Sequence, residues 1–309
     1  MVKLSTSIVD RANELLAADE SINYRVVESD VQTKFGTATG YKALYGVSPE
    51  GQIVGDEPFQ LCTKNYTVFD NFYLAALAAT LEEQSNGEMK VVRSGALKYG
   101  MVHFSLESDQ YEDAARGDLY KMRFNILNSH TSQTSLLGFS SGNRLVCTNQ
   151  LPAIYRAGFE TGFRFRHRQD EQTLMDEAKH ALKTYGRSVV DTRRWIKRMS
   201  GKPVEWVTVH EFFKKCFNKR FPLRDDADKK SVDRHWKNLD RALGIMTNTW
   251  NAESCEYGNS EWVAVNAATK WLQHNAGRLN SRNREYSNFA GANAGRTRQA
   301  FEDWASLVA

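Results

Sequence analysis

Apolar and polar positions along the chain follow two different periods, and the change falls near residue 169. Before it, short apolar runs alternate with turn residues. Ile8, Ala12, Leu15 and Leu16 share one face of a helix over residues 5–18. Residues 24–27, 41–45, 52–54 and 59–63 read as short strands, with Pro49, Glu50 and Gly51 supplying a turn. Thr67 is placed to cap a helix over 68–84 that carries Phe72, Leu74, Leu77 and Leu81. That helix is apolar nearly all round, which predicts burial. Residues 90–93 and 99–106 read as paired strands and 119–127 as a third, and the polar cluster at 140–149 is expected to open a helix.

After residue 169 the period is helical. Leu174, Ala178, Ala181, Leu182, Tyr185, Val189, Trp195, Ile196 and Met199 recur at spacings that fit one long helix or two in series. Thr208 and Glu211 match a capping box, in which the hydroxyl and the carboxylate each satisfy an amide at the helix start. Val232, Trp236, Leu239, Leu243 and Met246 mark another helix, and apolar stripes from Trp262 and from Phe301 mark two more. The pattern predicts an α+β chain: a mixed or antiparallel sheet with helices in the N-terminal half and a mainly helical C-terminal half. The division expected is 1–168 as an α+β core region and 169–309 as a helical, basic region packed on it.

Composition fits a globular chain, since 309 residues at 41% hydrophobic and 25% charged can bury a sizeable core. No run of eighteen apolar residues occurs, so no spanning helix is expected. The opening residues Met1 to Thr6 lead into polar sequence without the apolar segment of a secretory signal, which points to the cytoplasm. Cys62, Cys147, Cys216 and Cys255 never form a C-x-x-C pair, so they read as reduced thiols packed as small hydrophobes.

Charge changes the picture more. The net of +4 hides 14 basic against 19 acidic residues in 1–160, a net of −5, and 27 against 18 in 161–309, a net of +9. Such a split favours a polyanion at one region and repels it at the other.

Within the basic region, Phe163, Arg164, Phe165, Arg166, His167 and Arg168 alternate. An extended chain puts Arg164, Arg166 and Arg168 on one face and the rings on the other. Guanidinium rows suit phosphates and exposed rings suit bases; the same alternation also describes an edge strand with its Phe residues in the core. Arg193, Arg194, Lys197 and Arg198 surround Trp195, and Arg194, Lys197 and Arg198 share a helical face. Further cations occur as Lys214-Lys215, Lys219-Arg220 and Lys229-Lys230, and Arg278, Arg282, Arg284, Arg296 and Arg298 follow among Asn, Ser and Gly.

A second constellation is a dense polar cluster, Asn128, Ser129 and His130, at the end of an apolar strand, continued by Arg144 and Asn149. It reads as a hydrogen-bonded turn, or as a histidine activating a hydroxyl. Phosphate-loop, dinucleotide and H-E-x-x-H patterns are absent. The Asp225, Asp226 and Asp228 cluster reads as a helix start rather than a cation site. No cofactor and no metal are expected.

The segment 125–151 resembles the hallmark of a phage and plasmid protein family, domain of unknown function 932. Leu127, Asn128, Ser129, His130, Arg144, Val146, Cys147, Asn149 and Leu151 keep its pattern, and Thr131 and Ser132 stand where it has Asp-Gly. Residues 41–55 and 66–77 resemble its N-terminal strands and helix, and Trp250, Trp262 and 266–271 its C-terminal helix. The resemblance implies a mobile-element protein without assigning it an activity. The strand and helix order also looks similar to phage single-strand annealing proteins, which implies a homo-oligomer.

The function expected is nucleic-acid binding without catalysis. The partner is single-stranded DNA in annealing, recombination or replication in the host cell cytoplasm. Arg164, Arg166, Arg168, Arg193, Arg194, Lys197, Arg198, Arg282, Arg284 and Arg296 would hold phosphates, and Phe165 or Trp195 would stack a base. The alternatives are an interaction protein that binds a host factor in counter-defence, and a nuclease or hydrolase centred on His130 and the Asp225 cluster.

Overall fold

A computed structural model describes residues 4–98, 100–114, 117–144, 150–151, 162–167, 171–275, 287–288 and 292–308. The chain is α+β, with antiparallel sheets in the N-terminal half and helices in the C-terminal half. It divides into two compact units. The first holds residues 1–110, 122–141 and 156–188; the second holds 111–121, 142–155 and 189–309.

The first unit opens with α1 (Thr6–Ala17), capped by the Ser5 hydroxyl and burying the four apolar residues that the periodicity selects. A hairpin follows, β1 (Arg25–Thr33) on β2 (Gly36–Val47), and β3 (Ile53–Val54) and β4 (Gln60–Thr63) both pair with β2. The hairpin is mostly exposed, and Phe35 at its tip is 89% accessible. Helix α2 (Asn71–Gln84) buries Leu74 through Leu81 without a break, as its all-round apolarity requires. Its cap is Asp70, which accepts from the Tyr73 amide, and not Thr67; the Thr67 amide donates instead to the His167 carbonyl at 2.8 Å.

The larger sheet is a meander. β5 (Met89–Lys98) pairs β6 (Met101–Ser108), β6 pairs β8 (Leu119–Ser129), and β8 lies beside β9 (Leu136–Arg144). Short β7 (Glu112–Asp113) pairs with β8, and β10 (Gln150–Leu151) and β11 (Phe163–Phe165) pair with β9. The polar residues from Ser140 to Arg144 thus continue a strand, correcting the helix expected there. Gly138 lies directly across from Phe163, whose ring occupies the space a Cβ would need, 2.2 Å away. Any side chain at 138 displaces that ring from the core.

Periodicity after residue 169 resolves as a single helix, α3 (Glu171–Ser200). The second unit then builds on α4 (Trp206–Arg220), α5 (Lys229–Tyr257), α6 (Glu261–Lys270) with a π turn over Trp271–Asn275, and α7 (Ala292–Leu307). Helix α4 starts ahead of the capping box, at Glu205, which makes no side-chain cap bond. Pairing just upstream sets the earlier start: Pro203 bridges Ser260, and the Glu261 amide donates to the Lys202 carbonyl at 3.0 Å. Fully buried Asp118 accepts from Trp262 Nε1 at 2.7 Å, which fixes the 111–121 segment against α6.

No described helix is long and apolar enough to cross a membrane. Three described cysteines are free thiols; Cys216 is buried as expected, but Cys62 is half-buried and Cys255 exposed, because helix and strand phase rather than composition sets their direction.

Candidate nucleic-acid interface

The Asn128, Ser129 and His130 cluster ends β8, and all three side chains are buried. Asn71, the first residue of α2, donates from Nδ2 to the carbonyls of Ile22 at 2.9 Å and Tyr24 at 3.2 Å. Its Oδ1 is left as an acceptor for His130 Nε2 at 2.8 Å, so the histidine carries its proton on Nε2. The His130 amide donates to the Gly100 carbonyl at 2.6 Å, and its ring stacks on Phe59. Asn128 Nδ2 donates to the Phe69 carbonyl at 3.1 Å. Ser129 Oγ accepts from the amides of Thr131 and Gln133, both at 3.2 Å, and closes the turn. Burial pushes the His130 imidazole down to about 3, helped by the neighbouring His167, so it stays neutral.

Ser132 in this turn has φ 56°, the left-handed region that glycine favours. That accounts for the Gly in the resembled motif: the position is a backbone requirement. The cluster therefore ties the ends of β8 and α2 together. His130, 1% exposed, does not reach a substrate from outside, which corrects its reading as a base. Asp228 of the acidic cluster accepts from the Ser231 amide at 2.7 Å and caps α5, as a helix start requires.

Alternation over 163–167 is as the sequence predicts. Arg164 and Arg166 are exposed; Phe163, Phe165 and His167 are buried. Phe165 is fully enclosed and cannot stack a base, because the inward face of β11 packs on the sheet. His167 donates from Nδ1 to the Thr67 carbonyl at 3.0 Å and stacks on Tyr66, clamping this segment to the loop before α2.

At the end of α3 the basic cluster separates by helical phase. Arg193 is ion-paired to Glu112 with its side chain still 43% exposed, and half-buried Trp195 packs on Phe301 with centroids 5.1 Å apart. Arg194, Lys197 and Arg198 are exposed, and Arg194 lies 3.7 Å from Asp191. Arg144 ends β9, with only its backbone described; Arg168, Asn149, Arg282 and Arg284 lie outside the described residues.

A stronger cationic face lies on α5 and was not anticipated. Lys230, Arg234, Lys237 and Arg241 follow one another at spacings of four, three and four, and all are exposed. At 3.6 residues per turn they fall within roughly 60° of arc and extend about 16 Å along the helix. Among the described residues none of the four is held in an ion pair. Asp233 and Asp240 border the row on one side and Asn238 on the other, so the positive ridge is about one side chain wide. Beyond the two carboxylates Trp236 is 54% accessible.

Two cavities differ in sign. In the first unit a cavity of about 450 Å³ is lined by Asp176, Glu177 and His180 with Gly162, Phe163 and Thr173. In the second a cavity of about 400 Å³ has Lys219, Arg220, Arg296 and Asp303 in its wall. Among the described residues no group of three or more His, Cys, Asp or Glu side chains is placed to hold a metal ion.

No curated protein and no solved structure matches the chain. The family model described as domain of unknown function DUF932 matches residues 58–300, most of the chain including the buried turn and the α5 ridge, and the protein belongs to that family.

Proposed function

We propose that the protein binds nucleic acid, single-stranded DNA in preference, as a non-catalytic component of a phage or plasmid acting in the host cytoplasm. The observation that carries this reading is the α5 ridge. Four solvated cations in line offer contacts to successive phosphates, and release of condensed counterions drives such binding. A ridge one side chain wide, with carboxylates beside it, suits one phosphate row better than the two that border a duplex groove. Trp236 gives a base a surface to stack on. Arg194, Lys197 and Arg198 on α3, and Arg164 and Arg166 beside β11, are additional phosphate contacts.

Fluorescence anisotropy with 3′-labelled, 5′-hydroxyl single-stranded oligonucleotides tests this. Lys237→Gln combined with Arg241→Gln weakens binding at least tenfold at low salt. It also lowers the slope of log affinity against log salt by about 1.4, the value for two lost contacts to a single strand. Unchanged affinity and slope in that variant overturn the reading.

A further inference from the structure

We infer that the cavity between α4 and α7 in the second unit is a binding site for a phosphate monoester. Lys219 and Arg220 reach it from the last turn of α4, and Arg296 from α7. Asp303 is the only acidic residue in its described lining; its carboxylate is 8% exposed and already taken by Lys219 at 2.5 Å and Lys215 at 3.7 Å. Arg220 and Arg296 bring two further positive charges to the same wall. They are close enough that the charge of Arg296, after burial, pushes the Arg220 pKa down. Two like charges held together in partial burial are an arrangement that a dianion relieves, and guanidinium forks match the oxygens of a phosphate.

Gly295 supports the assignment independently. It lies inside α7, where glycine is the poorest residue short of proline, and it lines the cavity. A Cβ built there meets nothing within 4 Å among the described residues, so no described packing contact calls for glycine. Its absent side chain leaves the helix backbone open to a ligand, near the helix end where the macrodipole favours an anion. At about 400 Å³ the cavity has room for a phosphate with its sugar.

The phosphate has two possible sources, a free nucleotide or the 5′ end of a strand, and the experiment separates them. Titration calorimetry compares adenosine monophosphate with adenosine, and anisotropy compares a 5′-phosphorylated with a 5′-hydroxyl oligonucleotide. The phosphate raises affinity at least tenfold in one of the two comparisons. A gain with the mononucleotide assigns the free ligand; a gain with the oligonucleotide alone assigns the strand end. Arg296→Gln removes the gain. So does Gly295→Leu, which puts a side chain into the opening, and both variants keep the wild-type unfolding midpoint. The gain persists in Lys237→Gln with Arg241→Gln, so this site and the α5 ridge stand or fall separately. No gain in either comparison, or a gain that survives both cavity variants, overturns the inference.

Discussion

The turn at 128–132 and the outer face of α5 are both rich in polar side chains, yet they are put to opposite use. In the turn Asn128, Ser129 and His130 are drawn inward and each side chain has a partner within hydrogen-bond distance, with Asn128 Oδ1 the one buried atom left unmatched. On α5 four cations stand in water, none of them held in an ion pair among the described residues. Buried polar groups are costly to leave unmatched, so they specify structure; solvated charges cost little to hold apart and remain available to a ligand. The residues of the resembled motif at this turn thus hold the fold, and an inconspicuous charge spacing carries the proposed interface.

The contrast is broken most directly at Asn71. Asn71→Leu removes the donor to two carbonyls and the acceptor for His130, and should cost about 3 kcal/mol of stability, read from a denaturant midpoint. Lys237→Gln with Arg241→Gln should stay within about 0.5 kcal/mol of wild type in the same assay, because exposed charges contribute little. A large loss from the α5 pair, or none from Asn71, erases the distinction.

Acid sharpens it. His130 is held down to about 3 and His103 to about 4, in both cases first by burial, whereas an unfolded histidine titrates near 6.5. Between these values the unfolded chain binds more protons than the folded one. Stability is therefore intact above about pH 6.5 and falls as pH drops below it, approaching about 1.4 kcal/mol per pH unit for each histidine. The loss levels off only below the folded values. His130→Gln should reduce the slope between pH 6 and 4, leaving the contributions of His103 and of His167, which burial also lowers, measured by urea unfolding across that range.

The smallest expected effect is a gain. Ser132→Gly relieves a left-handed backbone and should stabilise by up to about 1 kcal/mol, without altering oligonucleotide affinity. A loss of stability would mean that the Ser132 hydroxyl bond to Gln60 outweighs the strain.

Much of this was legible from residue order. The burial of α2, the helical period of 171–200, and the in-and-out alternation of 163–167 each follow from apolar spacing that the structure reproduces; that 171–200 is one helix and not two is seen only in the fold. The α5 ridge was legible too, but only through its spacing. Asp233 and Asp240 are interleaved in sequence and cancel half its charge, so a scan for basic doublets stops at Lys229-Lys230. Trp195 shows the reverse failure: its basic neighbours mark the segment as a surface, yet helical phase turns this one side chain toward Phe301.

Local sequence determined which segments are helix or strand and which face of each is apolar, because periodicity and burial are properties of a few consecutive residues. It also determined the charge imbalance. Only the tertiary structure decided that His130 meets Asn71 across 59 positions, that Gly138 makes room for Phe163, and that Arg220 and Arg296 share one cavity. Each of these depends on two segments distant in sequence arriving at one place, and no local pattern encodes where a chain will return.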